Sequence, residues 1–351
     1  MTWDVALILG IDGLANGAVY LLAGLGLVLI FSVTRVVFVP FGDVAAFAAL
    51  SLAAFETGRQ PATIGLVLTL ALLAMVVEIV SLVRRGEMAA IPRAVLGWGV
   101  LPAIPCALAW AVAGQQGLPH AVFIITAILL VVPITPLVAR VALQPIADAS
   151  VLVLLIVSLA LHFLLSGLGL LFFGPEGSRT LPLASGALSL GTFSVSGQVI
   201  LMVASAIVLS AIFFLAFERT VVGKALRATA VNRVGARLVG IRPARTALLA
   251  YTFASLLAGL IGVLVAPVTT MYYDSGFLIG LKAFVAAIIG GLVSYPLTAL
   301  GALAVGVVES FGSFWSGALK DVIVFSLLIP VLMLRSAFTR HPEEEAEEID
   351  Q

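Results

Sequence analysis

Residue types that could carry out catalysis are scarce in this sequence. It has three histidines, His120, His162 and His341, and a single cysteine, Cys106, so no internal disulfide can form. The histidines and the cysteine have no metal-site spacing, and no serine, histidine and acid stand out as a catalytic set. We expect Cys106 to be a small buried hydrophobe and His162 to be a hydrogen-bonded core residue rather than a proton relay.

A phosphate-binding loop for ATP is also missing. Such a loop is rich in glycine and ends in Gly-Lys followed by Ser or Thr. The Gly-Lys pair of this sequence, Gly223-Lys224, is followed by Ala225 and lacks the upstream glycine. We therefore predict no catalytic residue, no metal site and no cofactor on this chain.

Ionisable residues inside apolar runs are a more informative group. Charged groups are costly in lipid, so Glu78, Lys282 and Glu309 should face protein or water. Lys282 and Glu309 could pair if their helices pack, and the sequence gives no register that decides this. Asn16 and Tyr20 are four residues apart and share a helix face, where they either line a polar groove or bond a neighbouring helix. We take Asn16, Tyr20, Lys282 and Glu309 as candidate pathway-lining residues.

The elements that must position these residues are transmembrane helices. Of the 351 residues, 62% are hydrophobic and only 10% are charged, too little polar surface for a water-soluble globule. Apolar runs of about 20 residues recur throughout, the length that crosses a bilayer as a helix. We predict an all-α polytopic membrane protein with about 9–11 transmembrane helices, drawn from eleven apolar segments: 7–31, 38–56, 63–83, 94–113, 120–139, 149–173, 197–217, 246–268, 281–294, 297–313 and 320–335.

Paired glycines in the first segment favour close helix packing over a role in lining the pathway. Gly13 and Gly17 are four residues apart, and Gly24 and Gly26 follow. Small residues at this spacing let two helix backbones approach each other in a membrane.

Charge placement predicts the orientation in the membrane. Seven of the eighteen Lys and Arg residues lie in 218–245, and short basic connections stay on the cytoplasmic side. We predict the N-terminus outside and the C-terminus in the cytoplasm, with 174–196 as an ordered external loop or a short cap over the pathway. Residues 1–340 would form a single transmembrane domain, and 341–351 an acidic disordered tail.

The connection 218–245 combines basic residues with an amphipathic pattern. We expect short helices across the cytoplasmic face, broken by Gly223, Gly235 and Gly240 and ended by Pro243. A simpler interpretation is a basic loop that sets topology or touches anionic lipid headgroups.

Four blocks of the sequence resemble bacterial branched-chain amino acid ABC transporter permeases. Residues 217–245, FERTVVGKALRATAVNRVGARLVGIRPAR, are similar to the family's cytoplasmic coupling loop, ER-x-x-x-G-[RK]-A-[LM]-R-A-x-A-x-[DN] followed by A-x-L-x-G-I. Residues 13–31, 145–177 and 282–310 resemble three further family blocks. The sequence departs from the pattern at Tyr295-Pro296-Leu297, where the family has a glycine-containing turn, and in 60–139, where more apolar sequence indicates one or two extra helices.

This resemblance implies an importer that carries branched-chain or related amino acids across the bacterial inner membrane by alternating access. Partners would be two ATPase subunits that bind the ATP, a second related permease subunit and an extracytoplasmic solute-binding protein, with the lipid bilayer as solvent and no nucleic acid. The coupling loop would present a short helix to the ATPase. The residues carried over for this coupling are Gly223, Lys224, Arg227, Ala230, Asn232, Arg233, Gly240 and Ile241.

Two other classes of function stay open. A secondary transporter driven by an ion gradient would need paired intramembrane ionisable residues and inverted repeats, and neither is convincing in the sequence. A membrane-embedded transferase would need Asp, His or Arg clustered at one membrane face, whereas 218–245 is basic without histidines or enough acids to act as bases.

Overall fold

The computed structural model describes residues 3–115, 117–190 and 193–338. The predicted acidic tail, 341–351, and His341 within it lie outside the described residues.

Helices form nearly all of the regular structure. In the first half of the chain they are α1 (Trp3–Thr34), α2 (Phe41–Glu56), α3 (Thr63–Arg85), α4 (Ile91–Ala94), α5 (Leu101–Val112), α6 (His120–Val131), α7 (Ile134–Val138) and α8 (Val151–Phe173). A hairpin of β1 (Ala187–Leu190) and β2 (Phe193–Ser196) follows. The second half contains α9 (Gly197–Arg219), α10 (Val221–Val231), α11 (Arg233–Leu238), α12 (Pro243–Val265), α13 (Ser275–Ile289), α14 (Tyr295–Trp315), α15 (Lys320–Ser326) and α16 (Leu328–Phe338).

The all-α polytopic prediction is confirmed. Within the described part of the chain, eight helical segments are long and apolar enough to cross a membrane. Six are single helices, namely α1, α3, α8, α9, α12 and α14, and two are composite, Met88–Val112 and His120–Ile146. The orientation of the termini stays a prediction.

Two predicted helices have different limits in the structure. The segment predicted at 281–294 is α13, which starts at Ser275 and ends before a tight turn where Gly291 and Leu292 have φ values of 71° and 61°. The segment predicted at 320–335 is two helices, α15 and α16. Pro330 lies in the first turn of α16, where its missing N–H is tolerated.

α2 lies at the centre of the bundle. It has 16 residues and contacts α6, α12 and α13, with nearly every side chain buried. Backbones approach closely on two sides: a Cβ built on Gly276 would lie 2.0 Å from Gly42 O, and one on Gly262 would lie 2.0 Å from Ala45 O. At 1.5 Å per residue α2 spans about 24 Å, short of the roughly 30 Å of hydrocarbon.

α1 and α14 pack through their glycines, as the spacing predicted. A Cβ on Gly306 would lie 2.3 Å from Gly17 N and 2.4 Å from Gly13 O. The hydroxyl of Ser310, one turn further along α14, donates to Leu9 O at 2.7 Å. The two helices are therefore in backbone contact over several turns.

The described residues of the segment 174–196 are held against the rest of the fold by hydrogen bonds. Ser178 and Met271 exchange two backbone hydrogen bonds of 2.9 Å, and the Arg179 guanidinium donates to Pro267 O and Val268 O. These contacts fasten the segment to the chain that follows α12.

A second contact ties this segment to α2 and α6. The Glu56 carboxylate accepts a hydrogen bond from Leu181 N at 3.0 Å, and its other oxygen lies 2.6 Å from His120 Nε2. Gln198, at the start of α9, accepts from Leu183 N and donates to Leu264 O. The segment thus covers one end of the bundle, and its external location stays a prediction.

Candidate functional site

Three of the four candidate pathway-lining residues meet in the interior. The Lys282 ammonium lies 2.5 Å from Glu309 Oε1, and the Tyr20 hydroxyl donates to Glu309 Oε2. Asp321 Oδ1 lies 2.8 Å from the same ammonium, an ion pair without hydrogen-bond geometry. The structure thus pairs Lys282 with Glu309, which the sequence had left open. We call Tyr20, Lys282, Glu309 and Asp321 the ionic cluster.

The ionic cluster joins four helices. Tyr20 belongs to α1, Lys282 to α13, Glu309 to α14 and Asp321 to α15. The side chains of Lys282 and Glu309 are only 6% and 9% exposed, so each charge depends on the other for its stability in a medium of low dielectric. The cluster therefore holds these helices in register as well as placing charge inside the membrane domain.

Asp321 was not among the candidate residues. Its only sequence signal is an acidic residue at the start of an apolar helix, next to Lys320. Pairing it with Lys282 requires knowledge of how α15 folds back on α13, which local sequence does not contain.

Asn16 is separate from the ionic cluster. It is half-buried, one turn before Tyr20 on α1, and within the described chain no hydrogen bond links its side chain to the cluster. A pathway-lining role for Asn16, Tyr20, Lys282 and Glu309 stays a prediction.

A second buried polar pair connects α2 and α8. His162 Nδ1 lies 2.8 Å from Asp43 Oδ2, with Asp43 completely buried and the imidazole stacked on Phe277 at 4.2 Å between ring centroids. His162 is a hydrogen-bonded core residue, as predicted. Its acidic partner was missed, although an Asp inside the apolar run 38–56 was a visible signal.

The connection between α9 and α12 folds into α10 and α11, and we call residues 220–242 the connector. Thr220 caps α10, its hydroxyl accepting from Gly223 N at 3.0 Å. Asn232 caps α11, its side-chain oxygen accepting from Val234 N and Gly235 N. Short helices were predicted here, and these polar caps set where each begins.

The helix breaks of the connector do not all fall at the glycines where they were predicted. Gly223 and Gly235 lie inside helices and do not break them, and the break falls at Asn232. Gly223 is needed for space, because a Cβ there would lie 2.4 Å from Phe217 O. Gly240, with φ of 85°, does end α11, whereas Pro243 starts α12 in the first helical turn.

Two candidate coupling arginines bind backbone carbonyls of the transmembrane helices. Arg227 donates to Phe217 O of α9 at 2.9 Å, and Arg233 donates to Val33 O of α1 at 2.7 Å. The connector is therefore anchored to both helices. Of the other candidates, Lys224 and Asn232 are exposed, and Ala230 and Ile241 are half-buried.

Metal ligands are not grouped in the part of the chain that the structure describes. No three His, Cys, Asp or Glu side chains there are placed to hold an ion.

Comparison with known proteins shows which family this arrangement represents. A family model described as the permease component of branched-chain amino acid transport systems matches residues 93–333. No solved structure matches the chain.

Several curated relatives are similar over part of the chain. The high-affinity branched-chain amino acid transport system permease protein LivH of Escherichia coli (strain K12) is 34% identical over 209 residues, 56% of this chain and 66% of LivH. BraD of Pseudomonas aeruginosa, with the same description, is 31% identical over 208 residues and covered to the same extent. A probable branched-chain amino acid transport permease protein LivH of Methanocaldococcus jannaschii is 28% identical over 213 residues, 57% of this chain and 68% of that protein. The chain thus spans about two-thirds of the length of the curated relatives it matches.

The family match covers well over half of the chain, including α5 to α15, the connector and three of the four residues of the ionic cluster. This chain therefore belongs to the family of permease components of branched-chain amino acid transport systems.

Proposed function

We propose that this chain is the membrane-spanning subunit of an ATP-binding-cassette importer for branched-chain or related amino acids, working by alternating access in the bacterial inner membrane. Separate ATPase subunits would bind and hydrolyse ATP. Family membership and the described function of the relatives support the transport role and the class of solute.

The observation that carries the ATPase assignment is an apolar patch on the connector. Large apolar side chains there are exposed, with Val231 86% and Leu238 84% exposed. Exposed apolar patches mark surfaces that bind another protein or the membrane, and the resemblance of this segment to a coupling loop favours a protein. We call this surface the connector patch; it comprises Val221, Val231, Val234, Leu238 and Val239.

The anchoring of the connector supports a mechanical role. Arg233 ties α11 to the end of α1, and Arg227 ties α10 to the end of α9. A partner that pushes on the connector patch would therefore move α1. This helix carries Tyr20, which belongs to the ionic cluster and donates to Glu309. Movement of packed helices of this kind is how a nucleotide-driven change reaches a membrane pathway.

The remaining partners would occupy other surfaces. The fastened segment 174–196 lies at one end of the bundle and is proposed as the outer face that receives a solute-binding protein. α8 and α9 carry many exposed apolar side chains, such as Leu171 and Ile207, which would face lipid or a second related permease subunit.

Retention of the ATPase by the purified permease tests this assignment. Leu238→Asp places a charge in the connector patch, and Met88→Asp places the same charge at another exposed apolar side chain, outside the patch. We expect co-purification of the ATPase with wild type and Met88→Asp, and its loss with Leu238→Asp. Equal retention by both variants would remove the patch as the ATPase contact.

The ionic cluster favours one second candidate, a carrier driven by an ion gradient. Paired ionisable residues inside the membrane, which the sequence alone did not make convincing, are present in Lys282, Glu309 and Asp321. Reconstituted vesicles separate the two functions. Uptake that needs ATP and the ATPase subunits supports the importer, and uptake that follows an ion gradient without them supports the carrier.

A further inference from the structure

A cleft of about 1090 Å³ lies between the helices at the connector end of the molecule. Its walls are α3, the two composite segments Met88–Val112 and His120–Ile146, and the first half of α12. None of its lining residues belongs to the ionic cluster. The cleft is therefore a separate feature of the fold.

Positive charge is concentrated in this cleft. Its lining includes six arginines but only two acids, Glu78 and Asp148. Arg140 pairs with Glu78, and Arg233 donates to a backbone carbonyl. The other four have no acidic group within 4.0 Å in the described chain; they are Arg85, Arg93, Arg237 and Arg245.

Most of the remaining lining is apolar. Along one wall Arg93 is followed by Leu101, Ile104 and Leu108, all exposed and all lining the cleft. Leu108 is fifteen residues beyond Arg93, roughly 20 Å along a helix. That is enough to accompany an acyl chain through one leaflet, about 15 Å of hydrocarbon.

Two π-helical segments contribute to the lining of the cleft. Val95–Val100 supplies Gly97 and Trp98, and Ala139–Leu143 supplies Arg140. π-helical turns are rare and occur often at functional sites. Their meeting at one cleft is an observation independent of its charge.

We propose that the cleft binds an anionic phospholipid from the leaflet on the connector side. The phosphate lies among Arg85, Arg93 and Arg237, whose guanidinium groups bond phosphate oxygens in pairs, and the acyl chains lie along Leu101 to Leu108. A zwitterionic amino acid has no net charge and no long apolar tail, so it matches neither half of the cleft. The inference does not depend on how transport is driven.

Lipid binding to the purified full-length chain tests the charged half. Arg85→Gln/Arg237→Gln removes two lining charges, and Arg84→Gln/Arg242→Gln removes two exposed arginines nearby that do not line the cleft. Native mass spectrometry would follow titration with phosphatidylglycerol and with phosphatidylethanolamine. We expect a roughly 30-fold weaker affinity for phosphatidylglycerol in the first variant only, from two basic contacts near a membrane surface.

A second pair of variants tests the apolar half without changing charge. Gly97 and Gly65 both have open space at Cβ, but only Gly97 lines the cleft. Gly97→Leu should fill the acyl groove and lower phosphatidylglycerol binding, while Gly65→Leu should not.

Three results would overturn the proposal. They are equal binding by each variant and its control, no preference of wild type for phosphatidylglycerol over phosphatidylethanolamine, and binding of free inorganic phosphate as tight as that of the lipid.

Discussion

At the scale of single residues, the ammonium group of Lys282 depends on its partners for its stability inside the membrane domain. Its charge is buried and is balanced by carboxylates from two other helices, with Tyr20 bonding one of them. Removing one member of such a set leaves uncompensated charge in a medium of low dielectric, which costs far more than losing an exposed pair.

Lys282→Met should therefore lower the free energy of unfolding by about 3–5 kcal/mol, because it leaves Glu309 and Asp321 without a cation. Thermal unfolding of the purified protein in detergent measures this. Lys224→Met, at an exposed lysine, is the control and should change stability little. Lys282→Met/Glu309→Gln should recover part of the loss. If Lys282→Met and Lys224→Met had the same melting temperature, the ionic cluster would not contribute to stability as a charge pair.

At the scale of elements, the contact between α1 and α14 depends on having no side chain at three glycines. The nearest atoms to a Cβ on Gly306 are backbone atoms of Gly17 and Gly13, which cannot move away as a flexible side chain can. A methyl group would therefore separate the helices that carry Tyr20 and Glu309.

Gly306→Ala should destabilise the protein by about 2–3 kcal/mol through this overpacking. Gly10→Ala, also in a helix but with nothing within 4 Å of its Cβ, should be neutral or stabilising by up to about 1 kcal/mol. The two melting temperatures are compared in the same detergent. A Gly306 variant as stable as the Gly10 variant would mean that α1 and α14 are not in backbone contact.

The connector also depends on one backbone conformation. Gly240 has φ of 85° between α11 and α12, and Gly58 has φ of 70° between α2 and α3, both with open space at Cβ. An alanine at either position costs about 1–2 kcal/mol of backbone strain.

Gly240→Ala should lower ATP-dependent uptake several-fold, because strain at this turn shifts α11 and the connector patch. Gly58→Ala carries similar strain outside the connector and should leave uptake nearly unchanged. Uptake by reconstituted vesicles, corrected for the amount of folded permease, is the measurement. A similar loss in both variants would assign the effect to stability instead of coupling.

At the scale of the whole molecule, the two ends of α3 distinguish the membrane faces. Arg59 precedes α3 and Arg84 lies in its last turn, and both are exposed. The 23 residues of α3 span about 35 Å, so the two positions should be on opposite sides of the bilayer.

Cysteine labelling tests the predicted orientation. In a Cys106→Ala background, a thiol reagent that cannot cross the membrane should label Arg59→Cys but not Arg84→Cys in intact cells. Inside-out vesicles should give the reverse. Labelling of Arg84→Cys in intact cells would invert the assignment of 218–245 to the cytoplasm.

Much of the architecture was predictable from the sequence because burial in lipid requires long apolar helices. Each of the eleven predicted segments contains helix in the structure, and the glycines at Gly13 and Gly17 correctly indicated close packing. Helix limits were predicted less well where turn geometry decided them, as at Leu292 and at the break between α15 and α16.

The sequence by itself determined that the chain lies in a membrane, that its fold is all-α, that it carries no phosphate-binding loop motif, and which family it resembles. Each of these follows from composition or from a local pattern. The tertiary structure decided which side chains meet. It brought Asp321 to Lys282 and Asp43 to His162, buried the short α2 at the centre, and gathered arginines from distant segments into one cleft. Single positions such as Asp43 show that a charge is buried, but its partner depends on the relative rotation and depth of packed helices, which arise from the fit of whole helix surfaces.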